Sequence, residues 1–339
     1  MRQRSIECPT TGSAGVRTLR AMTRLLRSRW TLKTLVAAAI GTLLALNPAP
    51  LVGVFALFVL VVPFEKLFPR HPQRLRRPGL GTDLAYGLAG RGLGVLGLVV
   101  GAAIGVLSLL WVPGLLLRPL VALLPHPLRV VVAFLLFDAL VYWAHRWSHE
   151  VPFLWRFHVI HHSSEQMDWV SGVRAHPLDG LVVAPAVVFL ISAGFSPKLS
   201  GALVIVQLAL GLFLHANIRW RWRPLHQVVI TPEFHHWHHA DEVDAHYTNY
   251  ATFLPLWDLL FGTYFMPTDR RPQVYGTAEF VAGSFIEQLR QPMRGLPTPG
   301  SVVRHPVVSA RRLRANLRRG WEQVWNSTTR TRRPASVSG

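Results

Sequence analysis

The sequence predicts an all-α protein: a polytopic membrane helical bundle of about four spans plus an N-terminal re-entrant hairpin, carrying a histidine-rich cytoplasmic cap. Three observations lead there. Half of the 339 residues are hydrophobic, mean hydropathy is +0.28 and only 16% of residues are charged, where soluble domains carry about a quarter. The apolar residues come in runs near the length of a membrane helix, with no β-rich region and no internal repeat. The net charge of +19 is concentrated in blocks beside those runs.

Residues 1–33 hold eight Lys/Arg against Glu7, residues 64–82 five against Glu65, and residues 300–339 nine Arg against Glu322. Such blocks suit nucleic acid or an anionic membrane surface. Beside so many apolar runs, and with no nucleic-acid motif, they read as membrane contacts. Leu19, Met22, Leu25, Leu26 and Trp30 fall roughly on one helical face, which fits an interfacial helix as well as a basic tail. Residues 34–46 and 51–62 are apolar, split by Asn47-Pro48-Ala49-Pro50, and each is shorter than the about 20 residues a span needs. With basic blocks at both ends and positive loops facing the cytoplasm, residues 34–63 are expected to dip in and return.

Residues 92–112 give the cleanest span. Gly97, Gly101 and Gly105 recur at every fourth position, a small-residue stripe on which another helix can lie closely. The loop expected over 113–128 contains one cation, Arg118, and suits the external side. Residues 130–144 then return and end at His145. Residues 181–193 and 199–214 form a second apolar pair around Gly194-Phe195-Ser196-Pro197 and end at His215. Both returning segments therefore deliver a histidine to the same side. Residues 216–280 are mixed polar and aromatic and complete the cap. A Pro/Gly-rich linker follows over 291–300. Ala310, Leu313, Leu317, Trp321 and Val324 then mark a basic amphipathic helix suited to a membrane surface.

Thirteen of the sixteen histidines lie between 145 and 246. His145 and His149 form an H-x-x-x-H, His158, His161 and His162 an H-x-x-H-H, and His235, His238 and His239 a second H-x-x-H-H. On a helix, residues three and four apart share a face about 5–6 Å apart, so each motif offers several imidazoles from one rigid support. Neutral imidazole suits iron, zinc, copper and nickel. Eight or more such ligands exceed the need of one ion, so two ions are implied. Two ions about 3.5–4 Å apart can share one reactive group. Cys8 is the sole cysteine, which excludes an intramolecular disulfide and cysteine-based zinc or iron–sulfur sites. Asp138 sits inside an apolar run, where an ionisable group is costly. It shares a helical face with Tyr142, His145 and His149, and is expected to accept from the second N–H of a ligating ring and fix it.

The chain resembles the fatty acid hydroxylase superfamily, also called the sterol desaturase family, from about Thr82 to Gly276. The resemblance is carried by Asp138-x3-Tyr142-x2-His145-Arg146-x2-His149, by Leu154-Trp155-Arg156-Phe157-His158-x2-His161-His162-Ser163, by Thr231-Pro232-x2-His235-x2-His238-His239, and by Asn249-Tyr250 with Trp257-Asp258-x2-Phe261-Gly262-Thr263. It implies a four-span body, a cytoplasmic metal-bearing cap in a bacterial inner (plasma) membrane, and a centre of two iron ions. The ligands it implies are His145, His149, His158, His161, His162, His235, His238 and His239, with His215 of His215-Ala-Asn217 as a ninth and His176 of Arg174-Ala-His176-Pro177 as a further family histidine. His236 holds a variable position and is left as surface or as support for a ligand. His226, His246, His71, His126 and His305 are read as structural. The domain organisation is then a basic tail (1–33), a membrane hairpin (34–63), a catalytic domain (82–280) and a basic C-terminal tail with the amphipathic helix (291–339).

The activity implied is oxidation of a lipid or sterol-like substrate with dioxygen as co-substrate. Hydroxylation or ether-lipid oxidation is favoured, and desaturation on the same site is the alternative. No b-type cytochrome domain is fused to the motifs, so electrons are expected from a separate partner such as a reductase, a ferredoxin or a b-type cytochrome. Two rivals stand against this. A membrane metal carrier without turnover would place ligands along a pore rather than at one face. A zinc hydrolase would need fewer ligands and a general-base Glu as in H-E-x-x-H, which the sequence lacks.

Overall fold

The structure, a computed structural model, describes residues 59–89, 92–221 and 223–296, together with 311, 314, 315 and 318. The helix expected within 18–30, most of the hairpin expected over 34–63 and most of the tail helix expected over 310–324 lie outside the described residues. A helical stretch at 59–67 precedes α1 (Leu80–Ala89), α2 (Gly92–Leu107), α3 (Trp111–Leu123), α4 (His126–Glu150), α5 (Pro152–His162), α6 (Ala184–Ser192), α7 (Pro197–Leu214), α8 (Pro232–His238), α9 (Leu256–Phe261) and α10 (Phe285–Arg290). Among the described residues there is no strand, only isolated bridges between Pro69 and Ile218 and between Ala240 and Tyr275.

Among the described residues, two helices, α4 with 25 residues and α7 with 18, are long and apolar enough to cross a membrane. Among the same residues a third crossing requires that Val100–Leu107 and Trp111–Leu123 count as one span, and these are bent by 81°. This corrects the expectation of a straight span over 92–112 followed by an external loop. The helix stops at Leu107, Leu109 takes a left-handed φ of 58°, and the chain re-enters helix through residues expected to be loop. Side chains at the break take up helix carbonyls that would otherwise lack partners. Ser108 Oγ donates to the carbonyl of Gly105 (2.6 Å) and Trp111 Nε1 to that of Val106 (3.0 Å). The lone cation Arg118 had made 113–128 look external, yet the stretch is otherwise apolar enough to pack as α3.

The apolar core joins α3, α4 and α6 through Val121, Ala133, Phe137, Val141, Phe189 and Leu190, closed by Phe195 and Phe253. Gly105 lets α2 lie close on α6: a Cβ there would collide with Val188 and lie 3.3 Å from the carbonyl of Ala184. The outer faces are apolar too. Leu116, Leu120, Leu123, Val131, Ile205, Val206 and Leu208 are all more than half exposed, a surface suited to lipid rather than water.

At the His145 end the packing turns polar. Arg77 bridges Asp83 (2.7 Å) and Asp168 (2.5 and 2.6 Å), and Arg174 also bonds to Asp83. Burying these charges costs desolvation, so each is returned a short ion-pair contact, and the set ties α1 to the loop after α5. Glu65 accepts from the backbone N–H groups of Trp169 and Asn217 (both 2.9 Å), drawing the stretch 59–67 onto the same loop.

Candidate metal centre

Four pieces of chain supply the histidines. The end of α4 carries His145 and His149 one turn apart. A break at Val151, with Pro152 in the first turn where its missing N–H costs nothing, restarts the chain as α5 with His158, His161 and His162. His215 caps α7. Thr231 accepts from the backbone of Phe234 (3.3 Å) and so caps α8, whose end carries His235, His238 and then His239.

These side chains gather into two groups of ligand atoms, each within 4.8 Å of one another: His145, His149, His158, His162 and His238 in one, and His161, His215, His235 and His239 in the other. Nitrogens about 2.1 Å from a shared ion lie up to about 4.2 Å apart, so each group has the size of a ligand shell. The two H-x-x-H-H motifs are divided between them. His158 and His162 serve one group while His161 serves the other. His235 and His239 serve the second while His238 serves the first. The groups abut where His162 and His239 stack at 4.1 Å between ring centroids, so α5 and α8 fix the spacing of both sites at once.

Five rings are held by the nitrogen remote from the group. Nδ1–H donates to the carbonyl of Tyr250 from His145 (2.7 Å), of Arg174 from His161 (3.0 Å), of Gly211 from His215 (2.6 Å) and of Thr248 from His238 (2.9 Å). His158 Nδ1 faces both oxygens of Asp179 (3.0 Å each). A carbonyl can only accept, so the tautomer is set and Nε2 keeps its lone pair. Nε2 of His149, His158, His162, His238 and His239 is buried without a hydrogen-bond partner. Such orphaned acceptors are costly unless something binds them. His215 and His235 face each other Nε2 to Nε2 at 3.3 Å. His215 donates from its Nδ1, so its Nε2 brings a lone pair to this contact, while His235 Nδ1 has no partner in either tautomer. The residues therefore fit a metal in both groups.

Burial also holds the rings neutral, the form that ligates. It pushes His161 down to about 4, helped by repulsion from His158. Burial drives His162 and His239 well below the ordinary histidine range, with neighbouring histidines adding to the effect.

The loop after α8 supplies two of the clamping carbonyls and is held under strain. Tyr247 and Asn249 take left-handed φ of 62° and 59°, unusual for residues with a Cβ. Asn249 is locked by three backbone bonds, to Phe234, Phe265 and back from Phe265. Asp258 accepts from the backbone of Tyr250 and Ala251 (2.8 Å each). Asn249, Tyr250 and Asp258 thus aim His145 and His238, a task the motif match alone did not reveal.

Nine of the ten histidines singled out from the sequence meet in the two groups; His176 stands outside. Its Nε2 faces the carbonyl of Leu289 (3.2 Å) and its Nδ1 accepts from Leu178 (3.1 Å), so neither nitrogen is free. Asp138 is placed differently from expectation. Its Oδ2 accepts from Trp257 Nε1 (2.8 Å) and the backbone of Leu254 (3.2 Å), two turns before His145, and it bonds no histidine. A carboxylate that does bond one of the gathered rings is Asp179, facing His158, and its signal in the sequence is only its nearness to Arg174-Ala-His176-Pro177. His236, read as surface or support, is fully buried, its Nδ1 facing Arg70 (3.0 Å) and Tyr275 (3.2 Å).

One group is open to its surroundings. A cavity of about 620 Å³ reaches His149, His162 and His238 and has Trp155, Arg156, Asp241 and Glu279 among its walls, with no member of the second group in its lining.

With this geometry in place, comparison with known proteins is decisive. The fatty acid hydroxylase family model matches residues 130–263, which contain all nine gathered histidines. Ornithine lipid hydroxylase OlsE of Rhizobium tropici is 31% identical over 257 residues, 71% of this chain and 72% of the relative. The chain belongs to the fatty acid hydroxylase family. Alkylglycerol monooxygenase of Homo sapiens is 30% identical over 148 residues and that of Danio rerio 29% over 148 residues, with the chain covering 32% of each of these longer proteins. No solved structure matches the chain.

Proposed function

We propose that this member of the family is an integral membrane di-iron oxygenase that hydroxylates a lipid, using dioxygen and electrons from a separate donor. One observation carries the reading: two abutting sets of buried imidazoles, five of whose rings are locked from behind and whose free nitrogens face inward. His145, His149, His158, His162 and His238 would hold one ion, and His161, His215, His235 and His239 the other. When bound, the iron pair supplies the activation of dioxygen and the attack on an unactivated C–H bond. The protein's own part is positional. Asp179 and the carbonyls of Thr248, Tyr250, Arg174 and Gly211 hold the rings in register, burial keeps water from the second group, and the cavity admits substrate to the first. The names of the relatives, a lipid hydroxylase and alkylglycerol monooxygenases, support a lipid substrate.

The apolar α4 and α7 support a membrane body, and the basic blocks flanking the spans support a site on the cytoplasmic face of a bacterial inner membrane. With the N-terminal residues, a body of about four spans around a catalytic domain at 82–280 fits this reading. The donor would be a reductase, a ferredoxin or a b-type cytochrome.

The test is the metal content of purified protein together with oxygen uptake. Two irons per chain and reductant-dependent oxygen consumption are expected. Stoichiometric zinc with no oxygen uptake would overturn the proposal. Lipid profiling of a deletion strain identifies the substrate and separates alcohol from alkene products.

A further inference from the structure

We infer that the cavity over the first histidine group is a head-group site for a zwitterionic amino lipid, with Asp241 and Glu279 receiving an ammonium and Arg156 an anionic oxygen. The inference rests on the oxygenase reading only in taking that group as the place of reaction.

The floor of the cavity is built. His149, His162 and His238 line it, are 9%, 4% and 5% exposed, and each presents a buried Nε2 without a protein partner. Whatever occupies the cavity lies directly over this group. A channel for the middle of an acyl chain would be walled by apolar side chains, since an unpaired charge facing hydrocarbon is costly. These walls carry Arg156, Asp241 and Glu279, with Thr277 and His246 beside them, among apolar residues. The charged groups are aimed rather than loose. Glu279 Oε1 accepts from Trp155 Nε1 (2.8 Å), Arg156 Nη2 donates to the carbonyl of Arg294 (2.5 Å), and Asp241 Oδ1 faces His246 Nε2 (3.2 Å). Two carboxylates and one guanidinium around one opening complement a group bearing both an ammonium and an anion, and the extra carboxylate favours the ammonium. The site also suits an amphiphile, because Pro152, Trp155, Ala240 and Ala278 line the same cavity. The head-group end of the lipid, rather than the far end of its chain, then lies over the histidines.

The test uses the full chain in detergent micelles, without reductant and under nitrogen, so that binding is measured apart from turnover. Two probes are titrated by calorimetry: N-octanoyl-ornithine, and N-octanoyl-norvaline, which has the same chain and carboxylate but no ammonium. The protein is expected to bind the ornithine probe about tenfold or more tighter, the worth of a charge-assisted contact. Asp241→Asn with Glu279→Gln should erase that preference while leaving the norvaline affinity unchanged. Glu279→Lys, which keeps the site without relying on the double variant, should shift preference toward N-octanoyl-glutamate. Equal binding of the first two probes by the unaltered protein overturns the inference. So does a preference that survives the double variant. Lack of oxygen uptake in the separate turnover assay would sink the oxygenase reading and leave these titrations standing.

Discussion

The two histidine groups share two helices but differ in exposure and support. The group of five faces a cavity and has its rings braced from three places: the strained loop at Thr248 and Tyr250, Asp179, and the packing of α4 against α5. The group of four has no member in the lining of that cavity and leans on helix and loop carbonyls, those of Gly211 and Arg174. Gly172 packs so closely on His215 that a Cβ would lie 3.0 Å from its Nδ1. The contrast teaches that one group is reached from that cavity and the other is not, although adjacent residues of one motif serve both.

The strongest way to break that comparison is to remove neighbours. His161→Ala and His162→Ala each should abolish oxygen-dependent turnover while the protein still inserts in the membrane. Each should also cost one ion of the pair, but from different groups. Metal analysis paired with Mössbauer spectra should show different surviving ions in the two variants. A fully active His161→Ala protein, or identical spectra, would mean that the division between groups is wrong.

A smaller effect is expected at the brace. Asp179→Asn keeps an acceptor for His158 but removes the charge. It should weaken metal at the group of five by about 10- to 100-fold, the usual cost of losing a ligand's outer partner, and leave the group of four unchanged. Competition with a chelator would read both affinities, and equal weakening at both would show that the sites are not independently supported.

The third test is acid. His161 is pushed down to about 4 from an ordinary value of 6.5, by burial and then by His158. The unfolded chain thus binds the proton first. Stability of the metal-free protein from this group is complete above about pH 6.5 and is lost as pH falls toward 4. Thermal unfolding of stripped protein should drop over that window, and His161→Asn should flatten the fall. An unchanged slope in that variant would assign the acid sensitivity to other rings.

The histidine set was legible in the sequence because ligand spacing is local: i, i+3 and i+4 on a helix already define one face. How the set divides was not. Whether His161 or His162 turns to a given ion depends on where α5 crosses α8, a tertiary fact. The break between α2 and α3 escaped for a similar reason. The stretch 92–112 is apolar throughout, and only a left-handed Leu109 with the side-chain bonds of Ser108 and Trp111 tells a bend from a straight span. His176 matched a motif, but motif membership does not say which way a ring points. Asp179 was missed because a carboxylate in a loop, outside any periodic pattern, carries no signal until the loop is folded against α5.

Asp138 gives the finest test, because the two lines of reasoning assign it different work. Its helical spacing with Tyr142, His145 and His149 suggests a partner for a ligating ring, yet its carboxylate takes the indole N–H of Trp257 and the backbone N–H of Leu254. Those bonds anchor α9 and the segment before it to α4, and α9 carries Asp258, which in turn holds the backbone of Tyr250. Asp138 therefore reaches the histidines only through several steps. Asp138→Ala strands a half-buried indole N–H and should lower thermal stability by about 1–3 kcal/mol, with both ions retained. Asp138→Asn should recover most of that loss, since the amide oxygen still accepts from Trp257. Were Asp138→Ala instead to lose iron from the group of five while its melting temperature held, the carboxylate would have to be facing a histidine ring after all, and the placement of α9 against α4 would be wrong.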